Sequence, residues 1–285
     1  MPIIYDELMA LKSEGVESSY SDRESLLYAL GVGMGRDPMD GAELKYCFEY
    51  EDMRTVPTMA TVISSGGRVM AKAGINWVMV VHGEQKLELH KPLPAAADII
   101  ANSKIAGAYD KGADKGALIV SETEIFEKSS GDKLCTLTSS TFARGDGGFG
   151  GPDLAAPTPH AVPTRAPDMS CELETRADQA LLYRLSGDRN PLHADPKFAE
   201  AAGFPRPILH GLCTYGTACR AVLKTACDYD HTKIKGFDVR FSAPVFPGET
   251  IITDMWKDGD ILSFECRLKE RDVTVIKNGK CTLSN

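Results

Sequence analysis

Cys213-Thr-Tyr-Gly-Thr-Ala-Cys-Arg-Ala-Val-Leu-Lys-Thr-Ala-Cys227 offers Ala, Val, Leu and Cys on most faces of a 3.6-residue period, with only Arg220 and Lys224 charged. That pattern predicts a helix buried on nearly every side. Beyond it the period changes to strand-like runs at Phe237–Ser242, Thr250–Lys257, Ile261–Lys269 and Val273–Lys277, with Lys257-Asp258-Gly259-Asp260 as a hairpin turn. One apolar helix followed by an antiparallel meander is an α+β unit whose sheet wraps a helix. Upstream, Asp178–Leu185 has helical spacing with Ser186-Gly187 as its stop. Asp195 reads as an N-cap with Pro196 at the first helical position, and Gly203 closes that short helix.

Further out, Arg144 to Asp168 packs five glycines and five prolines into 25 residues, which excludes a helix or a central strand. This linker, 144–168, divides the chain into halves at 1–143 and 169–285. The first half has comparable strands at Gln85–His90, Asp98–Ala106, Leu118–Phe126 and Lys133–Phe142. Residues recur between the halves at an offset of 150 to 155: Tyr28 with Tyr183, Pro38 with Pro191, Pro57 with Pro207, Pro92 with Pro244, and Ile99-Ile100 with Ile251-Ile252. Taken in order, these matches argue for a duplicated unit.

Composition bounds the function. The chain has 285 residues, 43% hydrophobic and 25% charged, with 32 basic against 40 acidic side chains. Those are globular proportions, and the net charge of −8 disfavours nucleic acid as a partner. Eight cysteines at 47, 135, 171, 213, 219, 227, 266 and 281 lie without a CxxC or metal-ligand spacing, as in reduced thiols of an intracellular protein. No metal is expected. Neither a secretory signal nor a terminal Ser-Lys-Leu is present, and the apolar run Ile75–Val81 is too short to span a membrane.

The densest polar cluster is Leu185-Ser-Gly-Asp188-Arg189-Asn190-Pro191-Leu192-His193. A carboxylate and an imidazole five residues apart in irregular chain can converge on one water, the geometry that acid–base chemistry on water requires. Asp188 and Asn190 are also good turn formers, and His193 could be an ordinary loop histidine. The second cluster, Pro207-Ile-Leu-His-Gly211-Leu212, stands before the buried helix, whose first N–H groups lack internal partners and could hold an oxyanion. Gly211 could equally serve tight packing, and His210 could simply be buried. In the first half the equivalent stretch is Gly31-Val-Gly-Met-Gly-Arg-Asp-Pro38-Met39, with no acid opposite Asp188 and methionine opposite His193. Both copies must make the turn, so the asymmetry favours chemistry in the second. Gly31, Gly33 and Gly35 follow a helical stretch and form no dinucleotide fingerprint.

Tyr183–His193 followed by Pro207–Thr214 resembles the hydratase 2 signature of MaoC-like (R)-specific enoyl-CoA hydratases. His82–Pro94 and Ala143–Gly151 also resemble the hydratase domain of peroxisomal multifunctional enzyme type 2. The resemblance covers nearly the whole chain and implies a double hot-dog fold in which only the second repeat is catalytic. It implies reversible addition of water to trans-2-enoyl-CoA, with Asp188 and His193 holding the water, Asn190 orienting it and Gly211 N–H facing the thioester oxygen. It places acyl-CoA contacts on His82, Gly83, Lys111, Arg189, Pro191, Leu192 and Phe241. Lys115 competes with Lys111, because the loop that holds both is longer here than in the relatives. No cofactor is implied, since the CoA thioester is the substrate; a homodimer is, in a peroxisomal or cytoplasmic setting. A thioesterase, a carrier-protein dehydratase and a catalytically silent acyl-CoA-binding protein are the competing readings.

Overall fold

The computed structural model describes residues 3–64 and 66–284. The first half contains α1 (Tyr5–Met9), β1 (Lys12–Tyr20), α2 (Asp22–Gly31), α3 (Gly41–Cys47), three short 3-10 turns, then β2 (Val80–Leu89), β3 (Ala97–Asp110), β4 (Ala117–Glu127) and β5 (Lys133–Ala143). In the second half come β6 (Met169–Glu174), α4 (Gln179–Tyr183), α5 (Pro196–Ala201), α6 (Gly211–Ala226), β7 (Ile234–Phe241), β8 (Thr250–Asp258), β9 (Ile261–Leu268) and β10 (Thr274–Leu283). No helix or strand falls in 144–168. No described helix is long and apolar enough to cross a membrane.

All ten strands form one sheet in the order β1-β3-β4-β5-β2-β7-β10-β9-β8-β6. Renaming β6 to β10 as β1 to β5 makes the order a palindrome, so the halves are related by a pseudo-dyad between β2 and β7. Those two strands pair antiparallel through Glu84↔Arg240, Gln85↔Val239 and Glu88↔Gly236. Tyr28 on α2 meets its counterpart Tyr183 on α4, ring centroids 5.9 Å apart. This is the double hot-dog architecture. Ala97 and Thr250, which open β3 and β8, lie 153 residues apart, whereas Lys133 and Thr274, which open β5 and β10, lie 141 apart. The recurrence offset therefore shortens beyond β3, because β3 runs 14 residues against nine for β8 and its loop to β4 is longer.

Helix α6 is the inner filling. From Cys213 to Leu223 every residue is buried. The repeats differ here: among the described residues between α3 and β2 the first half has only 3-10 turns, at Pro57–Thr61, Gly66–Lys72 and Trp77–Met79. Pro57 and the positive φ of Gly66 (+54°) and Gly74 (+69°) break that segment where the second half sustains 16 helical residues. One central helix thus serves both halves, not the two that a strict duplication predicts.

Sequence periodicity misses β1 and β6, the two edges of the sheet. β1 is largely polar, with Val16 and Tyr20 as its apolar residues, and β6, although Met169, Cys171 and Leu173 alternate with polar residues, is only six residues long; the charges at Glu14, Glu17, Glu172 and Glu174 discourage pairing with another sheet. Locally, Ser21 N–H donates to Glu24 Oε2 at 2.9 Å to start α2, and the Asp40 and Asp195 carboxylates cap α3 and α5. Aligned on these caps, Pro38 and not Met39 stands opposite His193. Neither carries an imidazole, and Met39 is exposed.

A buried ion pair joins the halves. Arg220, midway along α6, donates from Nε to Glu43 Oε1 of α3 at 2.7 Å and from Nη2 to Oε2 at 3.1 Å. Tyr229 OH and the Gly35 N–H also donate to that carboxylate, at 3.1 and 2.8 Å. Glu43→Ala would strand the guanidinium in the core and is expected to cost about 3–5 kcal/mol. Replacing Glu43 and Arg220 together by apolar residues of similar volume should recover most of that loss in urea unfolding. An unchanged urea midpoint in Glu43→Ala would mean that the pair is not the anchor.

Candidate active site

The loop between α4 and α5 is shaped by the side chains singled out in the sequence. Asp188 Oδ1 accepts from Asn190 N–H, and Asn190 Oδ1 accepts from Leu192 N–H, each at 3.0 Å. Both residues therefore make the turn as well as standing at the site. Gly187, at φ +124°, ends the preceding helical turn in a conformation that favours glycine. Asp188, Arg189, Asn190 and Pro191 are exposed, Leu192 half-buried and His193 buried.

His193 Nδ1 lies 2.8 Å from Ile208 O. A carbonyl only accepts, so Nδ1 carries the hydrogen and Nε2 is the free base. Burial holds the His193 imidazole below its ordinary pKa, partly offset by the Ile208 carbonyl and the Asp188 charge. The ring is neutral at pH 7. Asp188, His193 and His210 each place one carboxylate or imidazole atom within 4.8 Å of the others. Two hydrogen bonds of about 2.8 Å meeting at one water would span on the order of 4.6 Å, so a shared water fits between acid and imidazole. A shared metal ion fits less well: His193 and His210 stack at 3.7 Å and 26°, so their lone pairs lie in nearly parallel planes and do not readily meet at one point.

Gly211 opens α6, and the preceding His210, in extended conformation, gives no side-chain cap. The first N–H groups of the helix remain available, with the positive end of its dipole behind them. A Cβ at Gly211 would stand 3.5 Å from the Phe241 ring. Phe241 in turn meets the His82 ring at 4.9 Å. A register shift between His82 and Glu84 leaves Gly83 as a bulge and turns His82 inward, where Ser139 Oγ lies 2.9 Å from its Nε2. Burial lowers the His82 pKa to about 4, with opposing contributions from Glu84, Gln85 and Asp188.

The structure thus brings Asp188, His193, Gly211, His82 and Phe241 to one place, where β2 of the first half meets β7 of the second. On the outer face of the sheet a cavity of about 350 Å³ is lined by Gly83, Lys86, Lys111, Arg240, Pro157 and Pro159, among others. Lys111 reaches it and Lys115 is not among its lining. The Asp110 carboxylate fixes that loop by accepting from the N–H groups of Gly112, Gly148 and Gly150. Glu84 also lines the cavity, so its cations are not unopposed. Sequence reasoning left three residues out. Lys86 and Arg240 give no signal outside the fold, whereas His210 announces itself only by preceding Gly211.

Two family models cover the chain: the MFE-2 hydratase 2 N-terminal domain over residues 18–145 and the MaoC like domain over 159–279. The chain belongs to the MaoC-like family in its hydratase 2 form. It is 40% identical to "Enoyl-CoA hydratase 2, peroxisomal" of Arabidopsis thaliana, over 95% of this chain and 93% of that protein. It is also 40% identical to mouse "Peroxisomal multifunctional enzyme type 2", over 94% of this chain but only 37% of that longer protein. The crystal structure of a MaoC-like dehydratase from Phytophthora capsici superposes with a TM-score of 0.88 at 31% identity, covering 98% of this chain and 97% of that one.

The three site histidines set a pH dependence. His82 and His210 are both held to about 4 and His193 is lowered, all first by burial. The unfolded chain takes up protons that the folded one refuses, so stability present above pH 6.5 is lost as pH falls toward about 4. The urea midpoint should drop between pH 7.5 and 5, and less steeply in His82→Phe. Equal slopes in the two proteins would show that His82 is not buried in its neutral form.

Proposed function

We infer that this protein is an (R)-specific 2-enoyl-CoA hydratase, adding water reversibly to a trans-2-enoyl-CoA to give the (3R)-3-hydroxyacyl-CoA, as in fatty-acid β-oxidation or related acyl-CoA metabolism. The observation that carries this conclusion is a convergence found only in the second half: an acid, an imidazole of defined tautomer and an uncapped helix start, on a chain of this family. In the first half Gly33 and Gly35 stand in the corresponding stretch, next to buried Val32 and Met34.

One water donates to the Asp188 carboxylate and to His193 Nε2. Its oxygen bonds to C3 of the enoyl group while one of those two acceptors takes its proton. The electron pair of the C2–C3 double bond moves toward the thioester oxygen, where the Gly211 N–H and the α6 dipole stabilise the developing charge. A proton returned to C2 from the same side completes syn addition. Asn190 holds the loop that presents Asp188. The conjugated thioester supplies the electrophile, so no cofactor enters the reaction.

For the CoA moiety, the outer cavity offers Lys111, Lys86 and Arg240 to the phosphates. The β2–β7 ladder ends at Glu84↔Arg240, beside Gly83 and Phe241, which is where a thioester would pass inward to His82, Asp188 and His193. Arg189, Pro191 and Leu192, on the loop that carries Asp188 and His193, would then meet the substrate from the loop side. The acyl tail then lies toward the first half, where 3-10 turns with buried Met59, Ala60 and Ile63 occupy the interval that a central helix fills in the second. Peroxisomal relatives favour a peroxisomal setting.

Asp188→Asn and His193→Gln should each lower hydration of crotonyl-CoA or trans-2-decenoyl-CoA, followed at the enoyl absorbance, by on the order of 10²–10⁴-fold with the fold intact. Near-parental turnover in both would refute the assignment, and release of free CoA would indicate a thioesterase instead. Activity should also rise along a C4 to C10 substrate series; a flat or falling series would sink the proposed acyl path.

A further inference from the structure

We propose that His210 is a positioning residue for the hydration step, whose one ring sets the places of Asp188, His193 and the Gly211 N–H together. The proposal rests on the hydratase reading above and assigns a role that neither the sequence pattern nor the reaction itself requires. Three contacts meet at this imidazole. Its face covers His193 at 3.7 Å. Its Nε2–H donates to the Asp188 backbone carbonyl at 3.1 Å, twenty-two residues away in sequence. Its own backbone, at φ −58° and ψ 136°, is the N-cap of α6 and so aims the Gly211 N–H. The Tyr183 ring also meets it, tilted by 53° at 5.0 Å.

A histidine that merely filled the core would bury two polar nitrogens where an apolar ring would serve. His210 is 2% exposed, and its Nδ1 has no hydrogen-bond partner. Leaving that acceptor unpaired is costly, and buried polar groups retained at such a cost call for a reason. The Nε2–H bond supplies one: without it, nothing else among the described contacts ties the Asp188 carbonyl to the helix start. The titratable groups facing the ring are His193, Asp188, Arg184 and Tyr183. With His210 neutral, the stack shields one face of His193 from water without placing a second cation beside it.

Two variants separate the two contacts. His210→Phe keeps a ring over His193 and loses the donor to Asp188. Its kcat should fall between about 10- and 100-fold through misplacement of the acid, with KM little changed and the acid limb of the pH profile unmoved. His210→Gln keeps an N–H for the Asp188 carbonyl and opens the stack. Its kcat at pH 8 should be largely retained, while the acid limb moves to higher pH as water reaches His193 and its pKa climbs back toward the ordinary value. Parental kcat and parental acid limbs in both variants would overturn the proposal, as would equal losses of kcat with no movement of either limb. Should His210→Phe fail to fold, the His210→Gln profile alone decides between the outcomes. Asp188→Asn and His193→Gln run in parallel: their retention of turnover would refute the hydratase reading itself, whatever the His210 variants do.

Discussion

The burial of α6 over most of its length is the constraint from which the rest of the structure follows. A helix buried from Cys213 to Leu223 must be covered on all sides, and a five-stranded half-sheet covers only part of it. The second half-sheet, delivered by the first repeat and joined along β2 and β7, completes the cover. Burial also forces an answer for Arg220. Its guanidinium cannot lie unpaired in that interior, and its partner Glu43 comes from the other repeat, with Tyr229 and the Gly35 N–H satisfying the remaining lone pairs. Gly33, at φ +89°, lets the backbone pass close to the same guanidinium, a Cβ there standing 3.0 Å from Nη1.

Because α6 is buried lengthwise, its N-terminus emerges at one defined point beside the seam of the two half-sheets. That places Gly211 within reach of Phe241 on β7 and of the loop that carries Asp188 and His193. The site is consequently built from both repeats, although its acid, imidazole and helix start all come from one. His82, from the first repeat, approaches across the seam because a bulge at Gly83 turns it inward. The Gly- and Pro-rich linker runs over the outer face, with Pro157 and Pro159 at the cavity beside Gly83, His160 at Ser263 of β9, and the Arg165 carbonyl accepting from Trp256 of β8. It is a strap across both halves as well as a connection between them.

Turn-making and chemistry are combined in the same residues. Asp188 and Asn190 do cap the turns that their residue types promise, so the structural explanation of the motif is correct as far as it goes. What it leaves unexplained is His193, whose Nδ1 is committed to a distant carbonyl while Nε2 stays free. The first repeat makes its equivalent turn with glycines at positive φ and buries Val32 and Met34 around them. A turn alone needs no carboxylate exposed beside a buried imidazole.

By itself, the order of residues determined the wrapped helix, most strands, the linker, the duplication and the one-sided polar loop. All of these rest on local periodicity, turn chemistry or direct recurrence, which act over a few residues or can be read by comparing the halves. Tertiary structure alone decided the rest. The edge strand β1 exists because β3 pairs with it and not because its own apolar pattern demands it, whereas β6 alternates but is short and gains its place by pairing with β8. The missing helix of the first repeat follows from Pro57 and the glycines, yet only the shared occupancy of the interior by α6 makes its absence tolerable. Lys86 and Arg240 join Lys111 because two strands from different repeats run side by side, and His210 enters the site because the chain folds its ring against Tyr183 and His193. Such contacts depend on distances between residues far apart in sequence, and no local pattern of residue types encodes a distance of that kind.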